Sequence, residues 1–226
     1  MGRTRSDVHR IAAHVLGRRR YAVSGHFGLR ASPGGIGTPA FGPEPETLRL
    51  TPACLVREVG GESHGLALGG STLASLAAFA AADLDGDFSA GADMPAPGPA
   101  DEPLELDGKE LADLFSWFDL GWRVLDEVMA ERTGECATAT IQLWPEHFDV
   151  GTSLESGPDG VNLGFSPGDG FSDEAYVYVG PWSAARPGPS AYWNASFGAV
   201  LPRSQVHDAA DAAAFIRTGL DRLGLT

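Results

Sequence analysis

A histidine and an aspartate two residues apart give this 226-residue chain its most chemically capable stretch. Residues 144–149 read Trp-Pro-Glu-His-Phe-Asp, so His147 and Asp149 would share one face of a strand, where the side-chain period is two. Such a pair can ligate a metal ion, or act as a general base oriented by a carboxylate. It can equally be a buried histidine bonded to Asp149 or to the backbone. The spacing alone leaves these three interpretations open.

An acidic loop at residues 166–174 contains the next candidates, Asp169, Asp173 and Glu174. Glycines within it permit a tight turn with positive φ. The pattern favours an Asx-turn with solvated charges, although carboxylates in such a loop also suit Ca²⁺ or Mg²⁺ or a general acid. The candidate catalytic residues are therefore His147, Asp149 and Glu174. The sequence assigns no metal site and no cofactor.

Aromatic side chains follow this loop closely. In the alternating run at residues 175–179, Tyr176 and Tyr178 occupy one face and the aliphatic residues the other. Aromatic rings with polar tips commonly line small-molecule pockets, and they are also common in ordinary sheet packing. If they form a pocket, the expected ligand-binding residues are Trp144, Asn162, Tyr176, Tyr178, Trp182, Trp193 and Asn194.

The elements that must position these residues form two similar halves. Residues 25–43 and 146–167 share a pattern of His-Phe, a short alternating run, a turn (Pro-Gly-Gly or Pro-Asp-Gly) and a Phe near a closing Pro. This echo predicts a duplicated hairpin. Pro158 would lie in the second of these turns. Periodicity and capping residues predict helices at 6–19, 71–82, 107–132 and 208–223. Strands are predicted at 26–31, 36–41, 48–58, 64–68, 138–144, 148–154, 161–165, 175–179 and 191–200.

Each half thus reads helix, antiparallel strands, helix. We predict an N-terminal half at 1–84, a Gly/Pro/Asp-rich linker at 85–106 and a C-terminal half at 107–226, with the two halves packing as one domain. The expected fold class is α+β, an internally duplicated pair of meanders merged into one curved antiparallel sheet with the helices on one face.

Composition narrows the classes of partner. The formal net charge of −14 repels phosphate backbones and anionic lipids, which argues against nucleic acid and membrane partners. No secretory signal or apolar run of about 18 residues occurs, so a cytoplasmic protein is expected. Cys54 and Cys136 form no disulfide framework or zinc motif and are expected to be core or near-core thiols.

Three phrases in the C-terminal half resemble the uncharacterised bacterial family DUF5996. They are Leu-Trp-Pro-Glu-His-Phe-Asp at 143–149, Asn-Leu-Gly-Phe-Ser-Pro-Gly-Asp at 162–169 and Tyr-Val-Tyr at 176–178. Members carry a similar Phe-Asp strand, a Gly-Phe-x-Pro-Gly turn and an aromatic-alternating strand. The stretch from Tyr192 to Pro202 and the helix after it match the family's order, while the N-terminal half matches only loosely. The family has no assigned activity, so the resemblance implies a shared fold and no mechanism.

Three functions follow as hypotheses. The first is a small-molecule-binding module that uses the aromatic, His-lined face of the C-terminal sheet. The second is an enzyme, metal-dependent or of the acid-base kind, centred on His147 and Asp149. The third is a structural or interaction protein whose aromatic sheet face closes a homodimer.

Overall fold

The computed structural model describes residues 2–131, 137–156 and 159–225. Cys136 and Pro158 lie outside the described residues, so the predictions of a core thiol and a turn there are not addressed. The fold is α+β, as predicted. None of the helices in the described part has the length and apolar character to span a bilayer. The helices are α1 (Arg3–Ile11), a π-helix (Ala12–Gly17), α2 (Arg18–Ser24), α3 (Leu73–Ala80), α4 (Gly108–Ala130), a 3₁₀ turn (Arg203–Gln205) and α5 (Ala209–Leu223). The strands are β1 (Arg30–Ser32), β2 (Gly35–Gly37), β3 (Glu46–Leu50), β4 (Cys54–Val59), β5 (Glu62–Ala67), β6 (Ala137–Thr138), β7 (Gln142–Trp144), β8 (Asp149–Ser156), β9 (Asp159–Ser166), β10 (Tyr176–Pro181) and β11 (Ala199–Pro202).

The chain divides into two compact units. The first comprises Met1–Asp119 and Leu143–Phe148, and the second comprises Leu120–Gln142 and Asp149–Thr226. The boundary therefore falls inside α4 and not in the predicted linker at 85–106. A short return segment, Leu143–Phe148, belongs to the first unit although the chain around it belongs to the second.

The first unit contains a five-stranded antiparallel meander in the order β1-β2-β3-β4-β5. The predicted single strand at 48–58 is two strands, because Thr51-Pro52-Ala53 turns the chain. The Thr51 hydroxyl oxygen accepts hydrogen bonds from the amides of Ala53 and Cys54, at 3.3 and 3.1 Å. Pro52 would break a continuous ladder, so the hairpin also removes that conflict.

The first helical segment is longer than predicted. It runs without interruption from Arg3 to Ser24 through α1, the π-helix and α2. The predicted cap at Ser6-Asp7 does not form, since the helix begins three residues earlier. Val8, Ile11 and Leu16 are fully buried and form the apolar stripe of the segment.

The other three helices begin where the sequence predicts. The Thr72 hydroxyl oxygen accepts from the amide of Ser75 at 3.0 Å and completes a capping box at α3. Asp107 and Asp208 accept amides of the first turns of α4 and α5. These carboxylates satisfy amides that lack an intrahelical partner.

The second unit contains the strands of the second antiparallel sheet in the order β11-β10-β9-β8-β6. Val177 and Val179 on β10 are fully buried, and α5 packs on β10 and β11. Gly219 permits the close approach of α5, because a Cβ there would lie 2.8 Å from Cγ1 of Val179. This side of the sheet holds the core of the second unit.

The strands thus form two sheets, where the sequence predicts one merged sheet. Each strand pairs mainly with its neighbour along the chain through a hairpin, so the two meanders complete separate ladders. An isolated bridge joins Leu29, just before β1, to Leu143 of the return segment. Both copies of the repeated sequence fold as hairpins, β1–β2 and β8–β9, with strands of three and eight residues. Internal duplication stays a prediction.

Candidate functional site

The open side of the second sheet is built around Tyr178, which lies across two glycines. Tyr178 on β10 is paired with Gly164 on β9, which is paired with Gly151 on β8. A Cβ on Gly164 would lie 2.5 Å from Cζ of Tyr178, and one on Gly151 would lie 3.0 Å from its hydroxyl oxygen. The phenol ring therefore rests directly on the backbone of two neighbouring strands, because no side chain separates them.

A carboxylate holds the far end of this ring. The Tyr178 hydroxyl donates to Oδ2 of Asp149 at 2.6 Å, and Asp149 is buried. Burial, and then the charge of Asp149, raise the pKa of the Tyr178 hydroxyl well above its ordinary value. Tyr178 is therefore a neutral donor at physiological pH, and Asp149 serves to fix its ring.

Tyr176 is anchored in the same way at the sheet's end. Its hydroxyl donates to Oδ2 of Asp169 at 2.5 Å. Burial, and then this hydrogen bond, raise the pKa of Tyr176. The other carboxylate oxygen, Oδ1 of Asp169, accepts from the amides of Phe171 and Ser172 at 2.8 and 3.3 Å. The acidic loop is thus an Asx-turn that supports Tyr176.

Trp182 extends the open side along β9. Its indole lies over Gly160, where a Cβ would be 2.5 Å from Cε3. The indole Nε1 donates to Oδ1 of Asn162 at 2.8 Å. Trp182 keeps 49% of its surface exposed in this position, so the hydrogen bond orients a ring that solvent can reach.

Two phenylalanines complete the surface. Phe171 is 50% exposed and Phe197 is 36% exposed, and their ring centroids are 5.1 Å apart. Phe171 also packs on Tyr176 at 5.6 Å, and Phe197 lies near the strand glycine Gly180. We call this surface the aromatic face, and it consists of Asn162, Phe171, Tyr176, Tyr178, Trp182 and Phe197.

Trp193 and Asn194, two of the predicted ligand-binding residues, make hydrogen bonds within a loop. The Trp193 indole donates to the carbonyl of Pro187 at 2.9 Å. The Asn194 side chain pairs with the backbone of Val200 through two hydrogen bonds of 3.0 and 2.8 Å. The predicted strand at 191–200 is therefore wrong apart from its last two residues. The loop's own side chains satisfy its backbone, so a partner strand is not required.

His147 does not lie on a strand. It is exposed within a turn between β7 and β8, and its Nδ1 is 3.2 Å from Oδ2 of Asp93. Phe148 has φ of +58°, which breaks the two-residue alternation that would align His147 with Asp149. The predicted strand at His147, and with it the shared face, is wrong for this reason.

The other two predicted residues also have separate surroundings. Trp144 lies in the first unit, with its ring 6.5 Å from that of Phe27. Glu174 accepts the amide of Ser204 at 2.7 Å through Oε1, and hydrogen bonding to Ser204 lowers its pKa. Four of the predicted ligand-binding residues, Asn162, Tyr176, Tyr178 and Trp182, come together on the aromatic face. Within residues 2–131, 137–156 and 159–225, no group of three or more His, Cys, Asp or Glu side chains is placed to hold a metal ion.

Phe171 and Phe197 are not among the residues that the sequence predicts for the site. Phe171 stands between Gly170 and Ser172 in a predicted turn, where a large apolar side chain is not expected to reach the core. An apolar residue at such a position indicates an exposed ring. The sequence gives no comparable signal for Phe197, because it lies within the predicted strand at 191–200.

His9, which is partly buried in α1, is also not predicted from the sequence. Its Nε2 donates to the carbonyl of Pro145 at 2.9 Å, and its ring stacks on Phe148 at 4.7 Å. Burial lowers the pKa of His9 to about 4, so the ring is neutral at physiological pH. His9 therefore fastens the return segment to α1.

The predicted linker is fastened to the same helical segment. Arg10, His14 and Arg18 lie four residues apart on one helical face. They donate to backbone carbonyls between residues 83 and 99: Arg10 to Pro97 and Pro99, His14 to Pro95, and Arg18 to Asp83, Leu84 and Gly86, at 2.7–3.1 Å. Burial lowers the pKa of His14, so it acts as a neutral donor.

Comparison with known proteins adds no relative. No model of a protein family, no curated protein and no solved structure matches the chain. The resemblance of the C-terminal half to DUF5996 stays a prediction, and the candidate function depends on the geometry of the aromatic face.

Proposed function

We propose that the protein is a binding module and that the aromatic face takes a small organic ligand with a flat apolar part. The observation that carries the proposal is the exposure of Phe171, Trp182 and Phe197 on one side of the second sheet. Large apolar rings that face solvent together favour contact with another molecule, because burying them removes apolar surface from water.

Three of the rings, those of Tyr176, Tyr178 and Trp182, are also held in place before any ligand arrives. Hydrogen bonds to carboxylates fix the rings of Tyr176 and Tyr178, and a hydrogen bond to Asn162 fixes the indole of Trp182. A ligand that stacks on this surface orders few side chains, so little conformational entropy is lost on binding.

Charge restricts the ligand further. The formal net charge is −14, and Asp149 and Asp169 lie at the hydroxyl ends of Tyr178 and Tyr176. An anion would be repelled by this field, whereas a cation is attracted by the carboxylates and by the faces of the rings. The ligand is therefore neutral or cationic.

Three phenyl compounds of matched size test the proposal: phenethylamine, phenethyl alcohol and phenylacetate. Titrations followed by tryptophan fluorescence and amide chemical shifts are expected to give the order amine, alcohol, anion. Phe171→Ala and Trp182→Ala are each expected to weaken phenethylamine binding about tenfold, the equivalent of about 1.4 kcal/mol.

Tyr21→Ala is the matched control, because Tyr21 is 41% exposed and lies in the first unit. Equal weakening by Tyr21→Ala, or tightest binding of phenylacetate, contradicts the proposal. A solution mass that doubles with concentration and returns to the monomer value in Trp182→Ala would support the homodimer hypothesis in its place.

A further inference from the structure

A separate cavity lies in the first unit at the free end of the first meander. Its volume is about 510 Å³, and its lining consists of Glu44, Arg57, Val59, Gly60, Glu62 and His64. Arg57 is paired with His64 across β4 and β5, and Val59 is paired with Glu62. These four side chains therefore project from one face of the hairpin.

The hairpin turn shapes the cavity. Gly60 and Gly61 have φ of +58° and +88°, as a two-residue type I′ turn requires. The carboxylate of Glu44 lies against Gly60 in the space where a Cβ would stand. Glycine at this position thus allows a carboxylate from outside the hairpin to reach the cavity.

Arg57 is held in place by a buried carboxylate. Its Nε donates to Oε1 of Glu46 at 2.9 Å, and Arg19 donates to Oε2 of Glu46 at 2.7 Å. Burial acts to raise the pKa of Glu46, but hydrogen bonds from Arg19 and Arg57 hold it below its ordinary value. Among the described residues Arg57 makes no other hydrogen bond, so its two terminal nitrogens remain available to a ligand.

Arg57 is ion-paired with Glu46 and not with the carboxylates that line the cavity. In the described part of the chain, Arg57 forms no ion pair with Glu44 or Glu62, and the nearest partner of Glu62 is His64 at 3.9 Å. A simple anion would meet two carboxylates, and a simple cation would meet a guanidinium. A molecule that carries both charges satisfies both sets of groups.

We propose that this cavity binds a free α-amino acid. The ligand carboxylate accepts from the terminal nitrogens of Arg57, its ammonium group lies between the carboxylates of Glu44 and Glu62, and its side chain contacts Val59. The fork of a guanidinium matches a carboxylate in two parallel hydrogen bonds, which sets the orientation. This site is independent of the aromatic face.

Leucine and two of its truncated analogues test the charge requirement. Isocaproate lacks the amino group and isoamylamine lacks the carboxylate, while all three share the apolar part. We expect leucine at about 10 mM to shift the amide signals of Val59, Gly60 and His64 in NMR spectra, as a Kd of about 1 mM would give. Both analogues are expected to bind at least tenfold more weakly.

Variants separate the two charged sets. Arg57→Gln is expected to weaken leucine binding at least tenfold, and the double variant Glu44→Gln with Glu62→Gln by a similar factor. The double variant alters only exposed side chains, so it tests the site even if Arg57→Gln unfolds the first unit. Glu58→Gln is the matched control, since Glu58 is exposed on the opposite face of β4.

Isocaproate that binds as tightly as leucine overturns the proposal, as does leucine binding that is unchanged in the double variant. A complete lack of shifts with leucine at saturating concentration overturns it as well. None of these results bears on the phenethylamine titration, which reports on the second unit.

Discussion

The neutral histidine His9 makes the stability of the first unit depend on pH. Burial lowers its pKa from 6.5 to about 4, so the unfolded chain binds a proton at pH values where the folded chain does not. The stabilisation is complete above pH 6.5 and is lost as the pH falls from 6.5 through about 4. Linkage between these two pKa values gives a loss of about 2 kcal/mol between about pH 7.5 and about pH 5. Partial solvent contact of His9 reduces this to about 1–2 kcal/mol.

The perturbation that isolates this effect is His9→Phe. Phenylalanine keeps the stacking on Phe148 and removes the titrating group, at the cost of the hydrogen bond to the Pro145 carbonyl. That lost bond lowers the free energy of unfolding by about 1 kcal/mol near neutral pH. Between about pH 7.5 and about pH 5, the free energy of unfolding is expected to decrease by about 1–2 kcal/mol less in the variant than in the parent.

The assay is urea unfolding at the two pH values, followed by circular dichroism and tryptophan fluorescence. His14 and the carboxylates contribute equally to both proteins, so the difference between parent and variant reports on His9. His26→Gln serves as the control because His26 is exposed. The reasoning is refuted if His9→Phe loses as much stability as the parent over this pH range.

Three further perturbations have defined outcomes. Tyr178→Phe removes the phenol donor to Asp149 and is expected to lower the free energy of unfolding by about 2–3 kcal/mol. The control is Tyr192→Phe, with an expected loss of about 1 kcal/mol, because the Tyr192 hydroxyl donates at 2.8 Å to the carbonyl of Phe215. Equal losses in urea unfolding would contradict the anchoring role of Tyr178. Gly164→Ala should displace the Tyr178 ring and lower stability by about 1–3 kcal/mol, whereas Gly65→Ala, with open space around it, should not clash. Arg18→Met removes the donor to three carbonyls and should speed proteolytic cleavage within residues 83–99. Arg49→Met is the control, and equal cleavage rates in the two variants would show that other contacts hold the segment.

Local signals in the sequence were sufficient for most of the helices. Thr72, Asp107 and Asp208 are N-caps because each side chain accepts an amide only a few residues away, and a local contact can be inferred from local sequence. The π-helix at Ala12–Gly17 left no such sign, since the periodicity of its apolar residues differs little from that of an α-helix.

Only those features of the candidate site that lie within a single strand could be predicted from the sequence. The alternation in β10 correctly placed Tyr176 and Tyr178 on one face. The glycines beneath Tyr178 belong to two other strands, and only the pairing between strands brings them together. The error at His147 has a similar origin, because the positive φ of Phe148 depends on its burial in the first unit and not on its own preference.

The first unit is discontinuous in sequence, and this affects how the protein folds during its synthesis. Its last segment, Leu143–Phe148, supplies the bridge to Leu29 and the ring on which His9 stacks. A ribosome synthesises this segment only after the whole of α4, so the N-terminal half emerges before it has all of its own contacts. The first unit therefore cannot complete its folding before α4 and the segment after it have been synthesised. The contacts within the first unit are complete only once Phe148 has left the exit tunnel.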